Sequence, residues 1–201
     1  MSATKPPMAG PLEGIRIIEF GSFVAGPWGG QLLADMGADV IKVEPPAGDP
    51  WRHATPFAPN ESRVFLPLNR GVRSICIDLK RKSSETVLRK LIEASDGIIS
   101  NNRVDTAKKL GIDYDSVSTI NPQLIYVDIT AYGPKGPMAD MPGFDLILQG
   151  YSGAVASEGK IKNGQPEVVW SSSFIDSVSY THLRAHETLR YLVCRLLREK
   201  K

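Results

Sequence analysis

Four glycines, Gly21, Gly26, Gly29 and Gly30, fall between an apolar run and a helical pattern. Glycines at such a place let the backbone approach a ligand closely, and the N-terminus of the following helix favours an anionic phosphate. Glu44, at the end of the next apolar run, stands where dinucleotide-binding enzymes carry an acid for the ribose. The spacing is G-x4-G-x2-G rather than G-x-G-x-x-G, so it points only weakly to a dinucleotide. Turn chemistry and close helix–strand packing account for the same glycines, and a solvated strand end for Glu44. His53 is the one histidine before residue 178 and lies in a Pro-rich stretch, where it reads as structural or solvated. Cys76 and Cys194 are too few for a disulfide framework or a zinc site.

The elements that must position these residues alternate. Ile15–Phe20 reads as a buried strand, Gly21–Gly26 as a loop, and Trp28–Met36 as a helix with Pro27 in its first turn and Gly37 just past its end. Asp39–Val43 completes a βαβ unit. Pro45–Pro67 reads as loop. Arg73–Leu79 alternates like a half-polar strand. Ser83 or Ser84 can cap a helix whose stripe is Val87, Leu88, Leu91 and Ile92. Gly97–Ser100 and Leu124–Thr130 read as strands, Val104–Leu110 (closed by Gly111), Tyr114–Ile120 and Phe144–Gly150 as helices. The pattern predicts an α/β fold, a Rossmann-like, mostly parallel sheet with flanking helices.

The 201 residues are 42% hydrophobic and 23% charged, which excludes disordered, collagenous and coiled-coil classes. No apolar run is long enough for a membrane span, residues 1–10 read as a flexible N-terminus without a signal peptide, and the chain reads as cytoplasmic. Of 24 Lys and Arg and 22 Asp and Glu, six basic and two acidic residues lie in 178–201, so residues 1–177 hold 18 basic and 20 acidic. The body therefore carries no nucleic-acid footprint. Val178–Thr188, VSYTHLRAHET, resembles one reading frame of a transposase-type sequencing adapter, and Leu192–Lys201 its far end. Residues 178–201 are accordingly expected to be non-native, and His182, His186 and Cys194 are given no chemistry. The alternative is an amphipathic helix with Leu189, Leu192, Val193, Leu196 and Leu197 along one face.

The segment PLEGIRIIEFGSFVAGPWGGQLLADMGADVIKVEPPAGDPWR resembles the opening of the family III CoA-transferases. LNRGVRSICIDLK, SDGIISNNR, LGIDYDSVSTINPQLIYVDITAYGPKGP and PGFDLILQGYSGAVAS follow in the family's order. The resemblance runs from about Pro11 to about Asp176, and family members are roughly twice as long. It implies that residues 11–177 are an incomplete CoA-binding large domain. It also implies transfer of CoA from an acyl-CoA to a carboxylic acid through a covalent aspartyl intermediate, with coenzyme A as carrier and no metal. The partners it implies are those two substrates and an interlocked homodimer, with no nucleic acid and no membrane. A chain ending at 201 is then expected to be inactive and poorly folded, with apolar surface at Leu146, Ile147 and Ala154 uncovered.

Position by position, the resemblance puts the nucleophile at Asp176 and CoA contacts at Phe23, Val24 and Ala25. Further contacts fall at Asp78, Leu79 and Lys80, at Asn101, and at Lys109 where a phosphate-binding Arg is common. Arg73 is either a ligand contact or a strand-edge charge, and Lys108-Lys109 also fits a solvated helix face. The chain has Asn101-Asn102 where the family has Asn-Phe, Val104 and Asp105 where it has Pro and Gly, and Pro45 where a basic residue is frequent. Racemases of the same fold carry Gly-His-Asp; here Gly143-Phe144-Asp145 offers no proton-transfer base. Asp145 orients the nucleophile or a water, or caps the helix that begins there. An acyl-CoA racemase and a non-catalytic, Rossmann-type nucleotide-binding module are the alternatives to a transferase.

Overall fold

Apolar runs of four to six residues, each closed by glycine or polar residues, fold into the strands of one parallel sheet. The computed structural model describes residues 10–58, 61–157, 160–167 and 173–178. Along the chain run β1 (Arg16–Phe20), α1 (Ala25–Asp35), β2 (Asp39–Glu44), a 3₁₀ turn (Pro50–His53), β3 (Pro56–Ala58), β4 (Glu61–Ser62) and α2 (Phe65–Leu68). Then come β5 (Arg73–Cys76), α3 (Glu85–Glu93), β6 (Gly97–Ser100), α4 (Val104–Leu110), α5 (Tyr114–Ser118) and β7 (Ile125–Asp128). α6 (Asp145–Tyr151), α7 (Ala154–Ser157), the β8 (Ile161–Lys162) and β9 (Gln165–Pro166) hairpin, and α8 (Phe174–Val178) follow.

The main sheet has the order β5-β2-β1-β6-β7, every pair parallel. In chain order of its own strands that is 3-2-1-4-5, the doubly wound arrangement. The order reverses between β1 and β6, so the loops after these two strands diverge and leave a crevice at their carboxyl ends.

Period-2 alternation sends the two faces of the sheet to different partners. Ile18 and Phe20 of β1, Val43 of β2 and Ile98 of β6 join Leu88 and Ile92 of α3, Ala107 of α4 and Val117 of α5 in one apolar cluster. Glu19 and Val40 meet α1 instead, where a side chain at Gly30 would collide with the Glu19 carboxylate and touch Val40. The face under α1 thus carries buried charge, and the glycines of α1 are what let the helix lie over it. Gly37, at φ +100°, ends the helix as its spacing suggested.

Several expectations change in detail. Pro45–Pro67 is not simply loop: it holds the 3₁₀ turn, the β3–β4 hairpin and α2, each too short to leave a periodic signature. Ser62 organises this stretch, accepting from Val64 N and Phe65 N at 3.2 Å each and donating to Ala54 O. Ser84 does precede α3, but its hydroxyl donates to Asp78 O at 2.6 Å instead of capping the helix. Leu88 and Ile92 alone of the expected stripe are fully buried, while Val87 is exposed. Leu146 and Ile147 are exposed, as expected, and Ala154 is half-buried. Apart from Val178, the segment 178–201 lies outside the described residues.

Candidate active site

The crevice at the sheet's reversal point is lined by residues from five separate stretches of chain. Ala25 opens α1, Asn101 and Val104 follow β6, Ile129 follows β7, Leu148 belongs to α6 and Asp176 to α8. Together they bound a cleft of about 130 Å³. A parallel sheet presents loops at this point because neighbouring crossovers leave it in opposite directions.

Asp176 sits in this cleft with its backbone N–H donating to Asp145 Oδ1 at 3.0 Å. Gln149 Nε2, one turn along α6, donates to the other oxygen of Asp145. Phe144 rather than Asp145 takes the cap position, so the Asp145 carboxylate serves the Asp176 backbone instead of capping the helix. Burial, and secondarily the charge of Asp145, push the Asp176 acid up to about 6. At neutral pH it is still mostly ionised. A carboxylate thus stripped of part of its water is a better nucleophile than one in bulk solvent.

The glycine loop is tied down at its first three residues. Asn101 accepts from Ser22 N at 3.0 Å and donates to Ser22 O at 2.8 Å. Lys42 Nζ donates to Gly21 O at 2.9 Å, and Phe23 N donates to Asp49 Oδ1 at 3.4 Å. Phe23 has a left-handed φ of +64°, unusual for a bulky residue, and its side chain meets Trp51 edge-on at 6.4 Å. The glycines answer to protein neighbours: a Cβ on Gly21 would lie 2.7 Å from Glu19 Oε1, and one on Gly30 2.8 Å from Glu19 Oε2. Val24 and Ala25 are buried beside this loop.

The other residues singled out by sequence are spread more widely. Asp78 lines an open groove along the β5 edge with Ile75, Cys76, Arg81 and Ser84, where it accepts from Lys80 N, Arg81 Nε and Ser84 Oγ. Leu79 packs against the apolar cluster, and Lys80 is exposed. Lys109 is exposed and faces Asp105 at 3.7 Å. Arg73 forks onto Asp39 at 2.7 and 2.8 Å, which makes it a strand-edge charge. Asn102, in place of the family's aromatic residue, donates to Phe20 O at 2.7 Å. His53 contacts Ala47 O at 3.2 Å on the surface. Glu44 is neither a ribose acid nor solvated: it is buried and taken by Arg52 Nε and Nη2 at 2.7 and 2.6 Å, Ser74 Oγ at 2.6 Å and Asp49 N at 3.0 Å. His182, His186 and Cys194 lie outside the described residues. Among the described residues no cluster of three His, Cys, Asp or Glu side chains could hold a metal ion.

Sequence reasoning passed over Glu19, Lys42 and Asp49, which form a buried ionic cluster beneath the loop. Lys42 Nζ lies 2.8 Å from Glu19 Oε1 and 3.1 Å from Asp49 Oδ2. Burial pushes the Glu19 carboxyl up, against the opposing pull of Lys42. The signal was present in D-V-I-K-V-E: a lysine inside a run that reads as buried must find paired charge.

The profile described as CoA-transferase family III matches residues 12–186, ending inside the segment expected to be non-native. A succinate–glutarate CoA-transferase of Agrobacterium fabrum is 44% identical over 164 residues, covering 78% of this chain and 41% of the relative. A probable fatty acyl-CoA transferase of Mycobacterium tuberculosis is 36% identical over 190 residues, covering 93% of this chain and 48% of the relative. A crystal structure of that mycobacterial protein superposes with a TM-score of 0.78 at 36% identity, over 87% of this chain and 48% of its own. A CAIB/BAIF family protein from Brucella suis does so at 0.75 and 33%, over 87% and 49%. The chain spans about half the length of these relatives, or less.

Proposed function

The chain belongs to CoA-transferase family III, and from that premise we propose that it carries the nucleophilic half of an enzyme moving coenzyme A from an acyl-CoA thioester to a free carboxylic acid. The reading rests chiefly on Asp176: a carboxylate in the cleft at the sheet's reversal point, its acid pushed up to about 6 by burial. The Asp176 carboxylate attacks the thioester carbonyl, forming a C–O bond and breaking the C–S bond, which leaves a mixed anhydride and free CoA thiolate. The thiolate attacks the aspartyl carbonyl of that anhydride, freeing the donor acid and leaving an aspartyl-CoA thioester. The acceptor carboxylate then attacks this thioester, and the expelled thiolate takes the acceptor's acyl carbon, so the acceptor leaves as its CoA thioester and Asp176 is restored. Each step exchanges one good leaving group for another, which a single displacement between two acids could not do.

Phe23, Val24 and Ala25 are assigned to CoA through the glycine loop, Asn101 through its hold on Ser22, and Asp78, Leu79, Lys80 and Lys109 to the nucleotide end. Ala25 and Asn101 share the cleft with Asp176, while Asp78 lines the β5 groove. Phe144 beside Asp145 has no proton to move, so proton transfer of the racemase kind is left without its base. Assembly as a homodimer and a cytoplasmic location belong to the same proposal.

The test uses protein from the complete reading frame that contains this chain. Incubation with an acyl-CoA followed by hydroxylamine should leave a hydroxamate on Asp176, found by peptide mass. Asp176→Ala should lose both the label and the exchange of CoA between acids. Labelling of another carboxylate, with turnover kept in the Ala variant, would refute the assignment.

A further inference from the structure

Lys42 is a buried charge at the ligand end of a strand. Its ammonium donates to Glu19 Oε1 at 2.8 Å and to Gly21 O at 2.9 Å, and it forms an ion pair with Asp49 Oδ2 at 3.1 Å. Lys42 is 1% exposed, and Glu19 0%. Apolar residues of similar volume would serve the core at least as well, because desolvating such ions costs more than their attraction usually returns. The cluster must therefore be explained by what it holds.

What it holds is the main chain from Gly21 to Phe23. Lys42 fixes the carbonyl of Gly21, and Asp49 fixes the N–H of Phe23. The left-handed φ of Phe23, +64°, persists only where the surroundings over-determine it. Asp49 is itself anchored to β2, its N–H donating to Glu44 Oε2 at 3.0 Å, and it accepts from Trp51 N at 2.9 Å. Trp51 in turn meets the Phe23 ring. Loop and 3₁₀ turn are thus strapped to one strand through Lys42 and Glu44.

We infer that Lys42 and Asp49 are positioning residues for coenzyme A: they hold residues 21–23 in the shape that aims the backbone of the α1 entrance at the ligand. They touch no ligand atom and act through the loop. The inference rests on the CoA reading of this site. A pre-shaped loop spares the ligand the ordering of that loop on binding, so its loss appears as weaker affinity.

The experiment measures CoA affinity by calorimetry, and thermal unfolding, on protein from the complete reading frame. Lys42→Met is combined with Glu19→Gln so that no lone charge stays buried. Its CoA dissociation constant should rise about tenfold, with a cooperative melt retained. Asp49→Asn keeps an oxygen for Phe23 N and should bind within about threefold of wild type, while Asp49→Leu should lose about tenfold. Wild-type affinity in the folded double variant and in Asp49→Leu would overturn the inference and leave the CoA reading intact. Affinity that falls only in step with a lost melting transition would make the cluster structural and overturn it too. Absence of CoA binding by the wild type would instead remove the reading beneath it, and the inference with it.

Discussion

The backbone N–H of Asp176 donates to the carboxylate of Asp145 at 3.0 Å, so one acid seats the helix that presents another. The two charges also oppose each other. Burial first, and Asp145 second, raise the Asp176 acid to about 6. Asp145→Asn keeps an oxygen for the N–H and removes the second cause. The acidic limb of kcat/KM against pH, expected near 6 in the wild type, should move to lower pH in the variant while staying above the ordinary aspartate range. A limb that does not move would mean that a group other than Asp176 sets it.

The same raised acid makes Asp176 a liability for the fold. A carboxyl whose folded value lies above its unfolded value favours the folded state below about 3.8, and this contribution is lost as pH rises through about 6. Asp176→Asn should therefore stabilise the protein at pH 7 by about 1–2 kcal/mol, allowing for its partial exposure, and by nothing below pH ~4. Activity should disappear in the same variant. Urea unfolding at pH 7 and pH 4 measures the difference; equal stability of variant and wild type at pH 7 would contradict the burial argument.

Glu44 runs the opposite way. Burial alone would raise its acid, but the hydrogen bonds from Arg52, Ser74 and Asp49 outweigh burial and hold it at about 2. Its contribution is present above about 4.5 and fades as pH falls toward 2. Arg52→Gln should cost about 1–3 kcal/mol at pH 7, and less at pH 3. The Arg52 guanidinium also lies 3.8 Å from the centre of the Phe65 ring. A loss of equal size at both pH values would assign the effect to that stacking instead of to Glu44.

Strands were legible where an apolar run had sharp ends: Gly97–Ser100 is β6 without a residue's difference, and Gly111 closes α4 at φ +66°. Short elements were not, since the hairpin of Pro56–Ala58 and Glu61–Ser62 owes its form to Ser62 and Ala54 rather than to any period. Spacing alone places Val87 in the buried stripe, yet α3 turns Leu88 and Ile92 inward, and only the sheet's position decides between neighbouring stripes. In the site, no local pattern links Asn101 to Asp176; the reversal of strand order and the return of α8 bring them to one cleft. Glu19 and Lys42 pair because β1 and β2 run parallel with these two residues in register, a relation that neither strand carries by itself.

That pairing governs what the glycines above it tolerate. A Cβ on Gly30 would sit 2.8 Å from Glu19 Oε2, and Glu19 cannot swing aside while Lys42 holds its other oxygen. Alanine ordinarily gains about 1 kcal/mol over glycine inside a helix. At Gly30 the collision should outweigh that gain, so Gly30→Ala should destabilise the protein by about 1–3 kcal/mol in urea unfolding. Gly150, in α6, has nothing within 4 Å of its would-be Cβ. There Gly150→Ala should be neutral or stabilise by about 0.5–1 kcal/mol. In the Glu19→Gln/Lys42→Met background the side chain at 19 is released from its anchor, and the cost of Gly30→Ala should shrink. An unchanged cost in that background would show that backbone approach, and not the pinned carboxylate, is what requires glycine at position 30.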